Sequence, residues 1–228
     1  MESRPPQRST GVALNDAPPT LELREIVIAL PNRVLVDRMN LVIAPGETVT
    51  VMGASGVGKS TLLAYISGTL GAPFHAGGAV LIGDRDITAL PPEQRRIGIL
   101  FQDDLLFPHL SVGGNLAFAL PGEVQPRARR IEAVASALRD AGLEGFARRD
   151  PASLSGGQRA RVALMRTLLS EPRALLLDEP FNKLDAALRK EFRGFVFDHA
   201  THRRLPTLLV THDEEDARAA GGKVVVLG

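Results

Sequence analysis

The chain carries the stretch Gly53-Ala54-Ser55-Gly56-Val57-Gly58-Lys59-Ser60-Thr61, which fits the phosphate-loop pattern G-x-x-x-x-G-K-S. It follows the β-branched run Thr48–Met52 and precedes the apolar run Leu62–Ile66. The pattern therefore stands between a predicted strand and a predicted helix, as a phosphate loop requires. Its glycines permit backbone conformations that a Cβ forbids, so that successive N–H groups face an anion at a helix N-terminus. The stretch predicts a nucleotide-phosphate site.

Three side chains of this loop have predictable partners on a nucleotide. Lys59 is expected to reach the β- and γ-phosphates, Ser60 to offer its hydroxyl to Mg²⁺, and Thr61 to donate to the α-phosphate. A phosphate loop alone indicates a nucleotide but not the class of protein, and an ordinary glycine-rich turn is the alternative. The rest of the chain has to decide the class.

Composition excludes several classes of protein. The 228 residues are 44% hydrophobic and carry a formal net charge of +1, so bulk electrostatic binding of nucleic acid is not expected. There is no cysteine, which removes disulfides and thiolate metal sites. No apolar run approaches the roughly 20 residues of a membrane span. Residues 1–20 are rich in Pro, Ser and Arg without periodicity, and we predict a disordered tail there.

The first part of the remaining chain predicts a small antiparallel β subdomain. Alternating apolar residues indicate strands at 21–28, 39–43 and 79–83, with a turn at 31–33 and a glycine-rich bend at 77–78. We expect this sheet to lie beside the nucleotide-binding core.

The second part predicts an α/β core. Apolar runs at 174–177 and 207–210 alternate with helical patterns, which indicates a mostly parallel sheet buried on both faces. A further strand at 96–101 leads into Gln102, and a helical segment is expected between 112 and 149. Helices are also expected after Gln158 and over 185–203. The prediction is a single domain over 21–228, with a helical subdomain at about 103–165.

Polar residues at the predicted strand ends supply candidate catalytic and metal-binding groups. Asp178 is expected to help hold Mg²⁺, and Glu179 to polarise a water for attack on the γ-phosphorus. His212 could hydrogen-bond the γ-phosphate, and Gln102 offers an amide oxygen to the metal or the water. Each also has a plain structural alternative: the carboxylates could be solvated at a strand end, and a lone histidine is often structural.

Six motifs in order indicate a family. They are GASGVGKST at 53–61, Gln102 after a strand, LSGGQ at 154–158, LLLDEP at 175–180, Leu184-Asp185, and Thr211-His212-Asp213. Together they resemble the ATP-binding subunit of ABC transporters over nearly the whole chain after residue 20. LSGGQ is the most specific motif, since other phosphate-loop families lack it.

The resemblance implies a head-to-tail homodimer with two ATP molecules at its interface. Each ATP would be held by the phosphate loop of one subunit and by Ser155, Gly156, Gly157 and Gln158 of the other, with Asp185 near the same interface. These residues open a helix, so their N–H groups form a second anion site. ATP would then close the dimer, and its hydrolysis would open it.

The resemblance also implies partners and a location. They are permease subunits in the bacterial inner membrane and a solute-binding protein, with this chain peripheral on the cytoplasmic side. The stretch FQDDLLFPHLSV at 101–112 resembles importer subunits. An exporter cassette is the nearer alternative, and a soluble ABC ATPase of DNA repair or translation the more distant one. Leu105, Leu106, Phe107 and Pro108 either receive the permease or pack on the helical subdomain.

Two positions depart from the family pattern. An aromatic residue usually stacks on adenine about two dozen positions before the phosphate loop, but Ala29-Leu30-Pro31 stands there. Adenine would then rest on an aliphatic surface near Leu30, and loose base selectivity is expected. Asn182 stands where a small residue such as serine is usual, so the segment 182–185 differs from the family at the place where it would contact the other subunit.

Overall fold

A computed structural model describes residues 19–228 of the chain. Most of the predicted tail, residues 1–18, lies outside the described residues. The described strands are β1 (Leu21–Leu30), β2 (Arg33–Ile43), β3 (Thr48–Met52), β4 (His75–Ile82), β5 (Arg85–Asp86), β6 (Ile97–Leu100), β7 (Ala174–Asp178), β8 (Thr207–Val210) and β9 (Val224–Val226). The helices are α1 (Lys59–Ser67), α2 (Pro92–Arg95), α3 (Val112–Ala119), α4 (Arg127–Asp140), α5 (Gly156–Leu169), α6 (Ala186–His202) and α7 (Glu214–Ala220).

The predicted antiparallel sheet is present, with strand order β2-β1-β4-β5. The bend predicted at 77–78 is wrong, because both glycines lie inside β4. Gly78 has φ +100° opposite an irregularity in β1, and a Cβ on it would lie 2.5 Å from the carbonyl oxygen of Glu25. Glycine at 78 therefore lets two strands approach closely at a bulge rather than ending a strand. Strand β2 also begins earlier than predicted, at Arg33 instead of residue 39.

The second sheet is parallel throughout, with strand order β6-β7-β8-β3-β9. All of β8 and the first four residues of β7 are buried, as the continuous apolar runs predict. The carboxyl ends of β3, β7 and β8 therefore meet at one edge of the sheet. The phosphate loop, the Asp178-Glu179 pair and His212 follow these three strands.

Helices α3, α4 and α5 lie between β6 and β7 in the chain and share one apolar core with one face of the parallel sheet. The antiparallel sheet and α1 share a second core with its other face. The segment 112–149 is two helices and a 3₁₀ turn rather than one continuous helix. Pro121 and Pro126 separate α3 from α4, since proline disfavours a helix interior.

Candidate functional site

The phosphate loop connects β3 to α1, and the structure explains why two of its positions are glycine. Gly58 has φ +115° at the N-terminal cap of α1, a conformation that residues with a Cβ rarely adopt. A Cβ on Gly53 would lie 2.6 Å from the carbonyl oxygen of Leu227, so only glycine fits this close approach of two backbones. The loop therefore begins and ends where a side chain cannot be accommodated.

Lys59 is the first residue of α1, and only 5% of it is exposed. Its Nζ donates to the carbonyl oxygens of Gly53 at 2.8 Å and Ala54 at 3.0 Å. Nζ also lies 3.8 Å from Oε1 of Glu179. The ammonium group thus lies between the loop backbone and the carboxylate that follows β7, close to the phosphate site that the loop predicts.

Ser60 and Asp178, the first two predicted magnesium ligands, are in contact. Ser60 Oγ donates to Asp178 Oδ1 at 3.0 Å. Burial raises the pKa of Asp178, and the negative charge of Glu179 adds to the rise. The hydrogen bond from Ser60 and the positive charge of Lys59 lower the pKa and so oppose the rise. A hydroxyl and a carboxylate oxygen fit Mg²⁺, which usually takes one or two protein carboxylates and fills its remaining positions with water and phosphate.

Gln102, the third predicted magnesium ligand, is not brought to this pair. It follows β6, is exposed, and forms no hydrogen bond with Ser60 or Asp178. It lines a cavity together with Asp103, Gly156 and Lys183. A side chain on an irregular loop is positioned by that loop's own contacts, whereas Asp178 is fixed by a buried strand. The role of Gln102 stays a prediction.

Replacing Asp178 by asparagine should stabilise the metal-free protein. Because burial raises the pKa of Asp178, its carboxylate lowers stability once the pH exceeds the ordinary value of 3.8. The sign follows from proton binding: the folded state holds this proton more tightly, so stability is lost as pH rises through the raised pKa. At pH 7 we expect Asp178→Asn to raise the unfolding temperature by about 2 °C while removing Mg²⁺-dependent ATP hydrolysis. The exposed Asp84 offers a matched control, and an unchanged or lower temperature for Asp178→Asn would contradict the account.

Glu179 directly follows β7 and has φ +47°, an uncommon conformation for a residue with a side chain. Its N–H donates to the carbonyl of Val210 at 2.9 Å, which fixes it to the end of β8. His212 Nδ1 lies 3.2 Å from Oε2 of Glu179. Since a carboxylate only accepts, a hydrogen bond here requires the tautomer with its proton on Nδ1. The structure thus brings together Lys59, Glu179 and His212, three of the four predicted catalytic residues.

Asn182 is a site residue that the sequence analysis did not assign. Its Nδ2 donates to Oε2 of Glu179, the oxygen that His212 also contacts. The sequence analysis noted that Asn182 replaces a usually small residue. The direction of its side chain cannot be derived from residue spacing.

The LSGGQ segment forms the start of α5. Ser155 caps the helix, accepting from the N–H of Gln158 at 3.3 Å, while the side chain of Gln158 accepts from the N–H of Ser155 at 3.0 Å. The two cavities that this segment lines contain no residue of Gly53–Thr61. Asp185 caps α6 by accepting from the N–H of Leu188 at 3.0 Å. The contacts of these residues with a nucleotide across a dimer stay predictions.

In the loop after Gln102, some apolar residues pack on the helical subdomain and at least one is exposed to solvent. Leu106 packs against the core of the helical subdomain, and Phe107 packs edge-on against Phe118 with ring centroids 4.8 Å apart. Leu105, by contrast, is 56% exposed. Arg159 at the start of α5 donates to Asp104 at 3.2 Å, so this loop is tied to the helix that LSGGQ opens.

Residues 36–182 match the family model described as ABC transporter. This chain belongs to the ABC transporter family. The uncharacterized ABC transporter ATP-binding protein YnjD of Escherichia coli is 49% identical over 197 residues, which is 86% of this chain and 90% of YnjD. The predicted class is confirmed, and with it an ATPase cassette whose phosphate loop stands at the edge of a parallel sheet.

Two further relatives carry more specific names. The Fe(3+) ions import ATP-binding protein FbpC of Streptomyces avermitilis is 42% identical over 207 residues, 91% of this chain and 59% of FbpC. The spermidine/putrescine import ATP-binding protein PotA of Lawsonia intracellularis is 40% identical over 209 residues, 91% of this chain and 55% of PotA. The chain therefore spans little more than half the length of these two import relatives. Among residues 19–228, no helix is long and apolar enough to cross a membrane.

Proposed function

We propose that this chain is the subunit of an ABC importer that hydrolyses ATP to power solute transport across the bacterial inner membrane. The observation that carries the proposal is the hydrogen bond between Ser60 of the phosphate loop and Asp178, with Glu179 beside Lys59 of the same loop. The import names of FbpC and PotA favour an importer over an exporter cassette. They likewise favour transport over a soluble ATPase of DNA repair or translation.

The chain's own residues support hydrolysis as follows. Backbone N–H groups of Gly53–Thr61 and the ammonium of Lys59 hold the phosphates of ATP. Ser60 and Asp178 are the residues that would hold Mg²⁺, whose charge neutralises the phosphate oxygens when it is bound. Glu179 accepts a hydrogen bond from the attacking water and orients it toward the γ-phosphorus. His212 lies beside Glu179 and is the residue that would hydrogen-bond the γ-phosphate.

Completion of the site requires a second copy of the chain. LSGGQ lies at a helix N-terminus whose N–H groups suit an anion, and the two cavities described above that it lines contain no residue of the phosphate loop of its own chain. A head-to-tail dimer would bring the two together on one γ-phosphate. ATP then stabilises the dimer, and loss of the γ-phosphate opens it.

The permease contact is proposed on the helical subdomain, which places the chain on the cytoplasmic face of the inner membrane. Three large apolar side chains are exposed there, in the loop after Gln102, on α3 and on α4: Leu105 at 56%, Phe118 at 68% and Ile131 at 60%. Exposed apolar side chains that form a patch commonly mark interaction sites, and we propose that these three act together in this way. The bond of Arg159 to Asp104 connects this surface to LSGGQ, so movement of the permease can reach the dimer interface. A solute-binding protein would deliver the solute to such a permease.

Gly156→Asp tests the dimer directly. A Cβ at Gly156 would meet only Arg159 Nη2, at 4.0 Å, so the variant has room to fold. Its carboxylate would repel the γ-phosphate of the opposite subunit without touching the phosphate loop. We expect an unchanged ATP affinity of the monomer, no ATP-dependent dimer in light scattering, and hydrolysis lowered about tenfold or more. The conservative variant Gly156→Ala serves as control, and full hydrolysis by Gly156→Asp would contradict the proposed dimer.

A further inference from the structure

The carboxylate of Glu179 is surrounded unevenly. Oε2 accepts from Asn182 Nδ2 and faces Nδ1 of His212 at 3.2 Å. Oε1 has Lys59 Nζ at 3.8 Å and faces the phosphate loop. Two donors thus hold one oxygen, while the other is directed toward the place where the γ-phosphate and its attacking water would lie.

The backbone holds Asn182 firmly in this position. Its N–H donates to the carbonyl of Glu179 at 3.3 Å, closing a tight turn over residues 179–182. Phe181 within that turn is completely buried and packs edge-on against Phe192 and Phe197, with centroids 5.9 Å away in both cases. The turn is therefore anchored by a buried ring directly beside Asn182.

We propose that Asn182 is a positioning residue that binds Oε2 of Glu179 and thereby directs Oε1 toward the attacking water. The inference rests on the proposed function, since it assumes that Glu179 orients the water. The amide is suited to the task because its Nδ2 can only donate. The side chain of asparagine also carries its donor one bond farther from the backbone than a hydroxyl on Cβ would.

Positioning has a measurable signature in the turnover number. A carboxylate that loses one of its two fixed donors can rotate, and small displacements of a reacting group cost up to about 10²-fold in rate. Binding of ATP does not depend on Oε2, so the KM should stay nearly constant. If Asn182 merely filled space, Asn182→Asp should keep the kcat of the unsubstituted chain, because aspartate has the shape of asparagine.

The experiment compares Asn182→Ala and Asn182→Asp with the unsubstituted full chain, measuring kcat and KM for ATP hydrolysis with Mg²⁺. Alanine removes the donor and should lower kcat about tenfold. Aspartate keeps the shape but sets a second carboxylate against Glu179, and should lower kcat further. The KM should change less than about twofold in both variants. Thermal unfolding shows that each variant is folded.

Asn40→Ala is the matched control, because Asn40 also donates through Nδ2 to a glutamate carboxylate, that of Glu25 in the antiparallel sheet. This second amide–carboxylate pair lies outside the phosphate site, on β2 and β1. Its loss should leave both kcat and KM close to those of the unsubstituted chain.

The order of activities decides the inference. Asparagine above alanine above aspartate at position 182, at constant KM, supports the positioning role. An Asn182→Asp chain as active as the unsubstituted one, or an Asn182→Ala chain without loss, would overturn it. Glu179→Gln is measured in parallel: if that variant keeps full hydrolysis, the assignment of Glu179 itself fails and the inference falls with it. If Glu179→Gln is inactive but Asn182→Ala is not affected, the inference alone fails.

Discussion

Glu179→Gln should bind ATP with nearly unchanged affinity while hydrolysing it about 10²- to 10³-fold more slowly. Glutamine keeps the shape of the side chain and can still contact His212, but its amide is a poor acceptor for a proton of the attacking water. The backbone of the variant should not change, because residue 179 is held by its N–H bond to Val210 and by the buried Phe181 that follows. Loss of turnover with retained binding would therefore report chemistry rather than misfolding.

Glu132→Gln is the control for this variant, since Glu132 is exposed on α4 and pairs with Arg139 away from the phosphate loop. Its hydrolysis should equal that of the unsubstituted chain. Because Glu179→Gln should bind ATP without hydrolysing it, this variant should stay dimeric in the presence of ATP. Light scattering therefore provides a second measurement. Turnover of Glu179→Gln at the unsubstituted rate would refute its proposed role.

Lys59→Ala should weaken ATP binding by about 30- to 150-fold, the loss expected when a charge-assisted contact of about 2–3 kcal/mol is removed. The buried Nζ lies within reach of the phosphate site, and alanine leaves the carbonyls of Gly53 and Ala54 without their donor. Isothermal titration with a slowly hydrolysed ATP analogue measures the change. Binding should fall even in the presence of Glu179→Gln, because the two side chains act on different steps.

Lys190→Ala is the matched control for the charge, since Lys190 lies on α6 and outside the phosphate loop. Its affinity should stay within about twofold of the unsubstituted chain. An unchanged affinity for Lys59→Ala would mean that the loop holds another ligand or none. Thermal unfolding without nucleotide separates loss of the contact from loss of the fold.

Much of the site could be predicted because sequence-local patterns determine it. Gly53–Thr61 forms a complete unit within one loop, and Asp178 and His212 are fixed by following buried strands whose apolar runs are unmistakable. The meeting of these strand ends at one edge follows from parallel pairing alone. The contact of Ser60 with Asp178 across 118 positions of sequence was predictable for this reason.

The parts that escaped prediction depend on tertiary contacts. Gly77 and Gly78 have the composition of a bend, but the close approach of β1 turns them into a bulge inside a strand. Strand β9 has only three residues and pairs at one edge of the sheet, too short for a periodic signal. Asn182 acquires its role because a turn directs its amide back to Glu179. Gln102 is the opposite case: the sequence predicts it as a magnesium ligand, but the structure does not bring it to Ser60 and Asp178.

The proposed coupling to a permease is tested most directly by purifying the tagged chain from its native membranes in mild detergent. Mass spectrometry then identifies the proteins that accompany it in stoichiometric amounts. The account predicts a membrane protein with several spans, retained by the unsubstituted chain and lost in Ile131→Glu, whose purified form should hydrolyse ATP at the normal rate. A chain that elutes alone, or with ribosomes or nucleic acid, would contradict the transport function while leaving the ATPase intact.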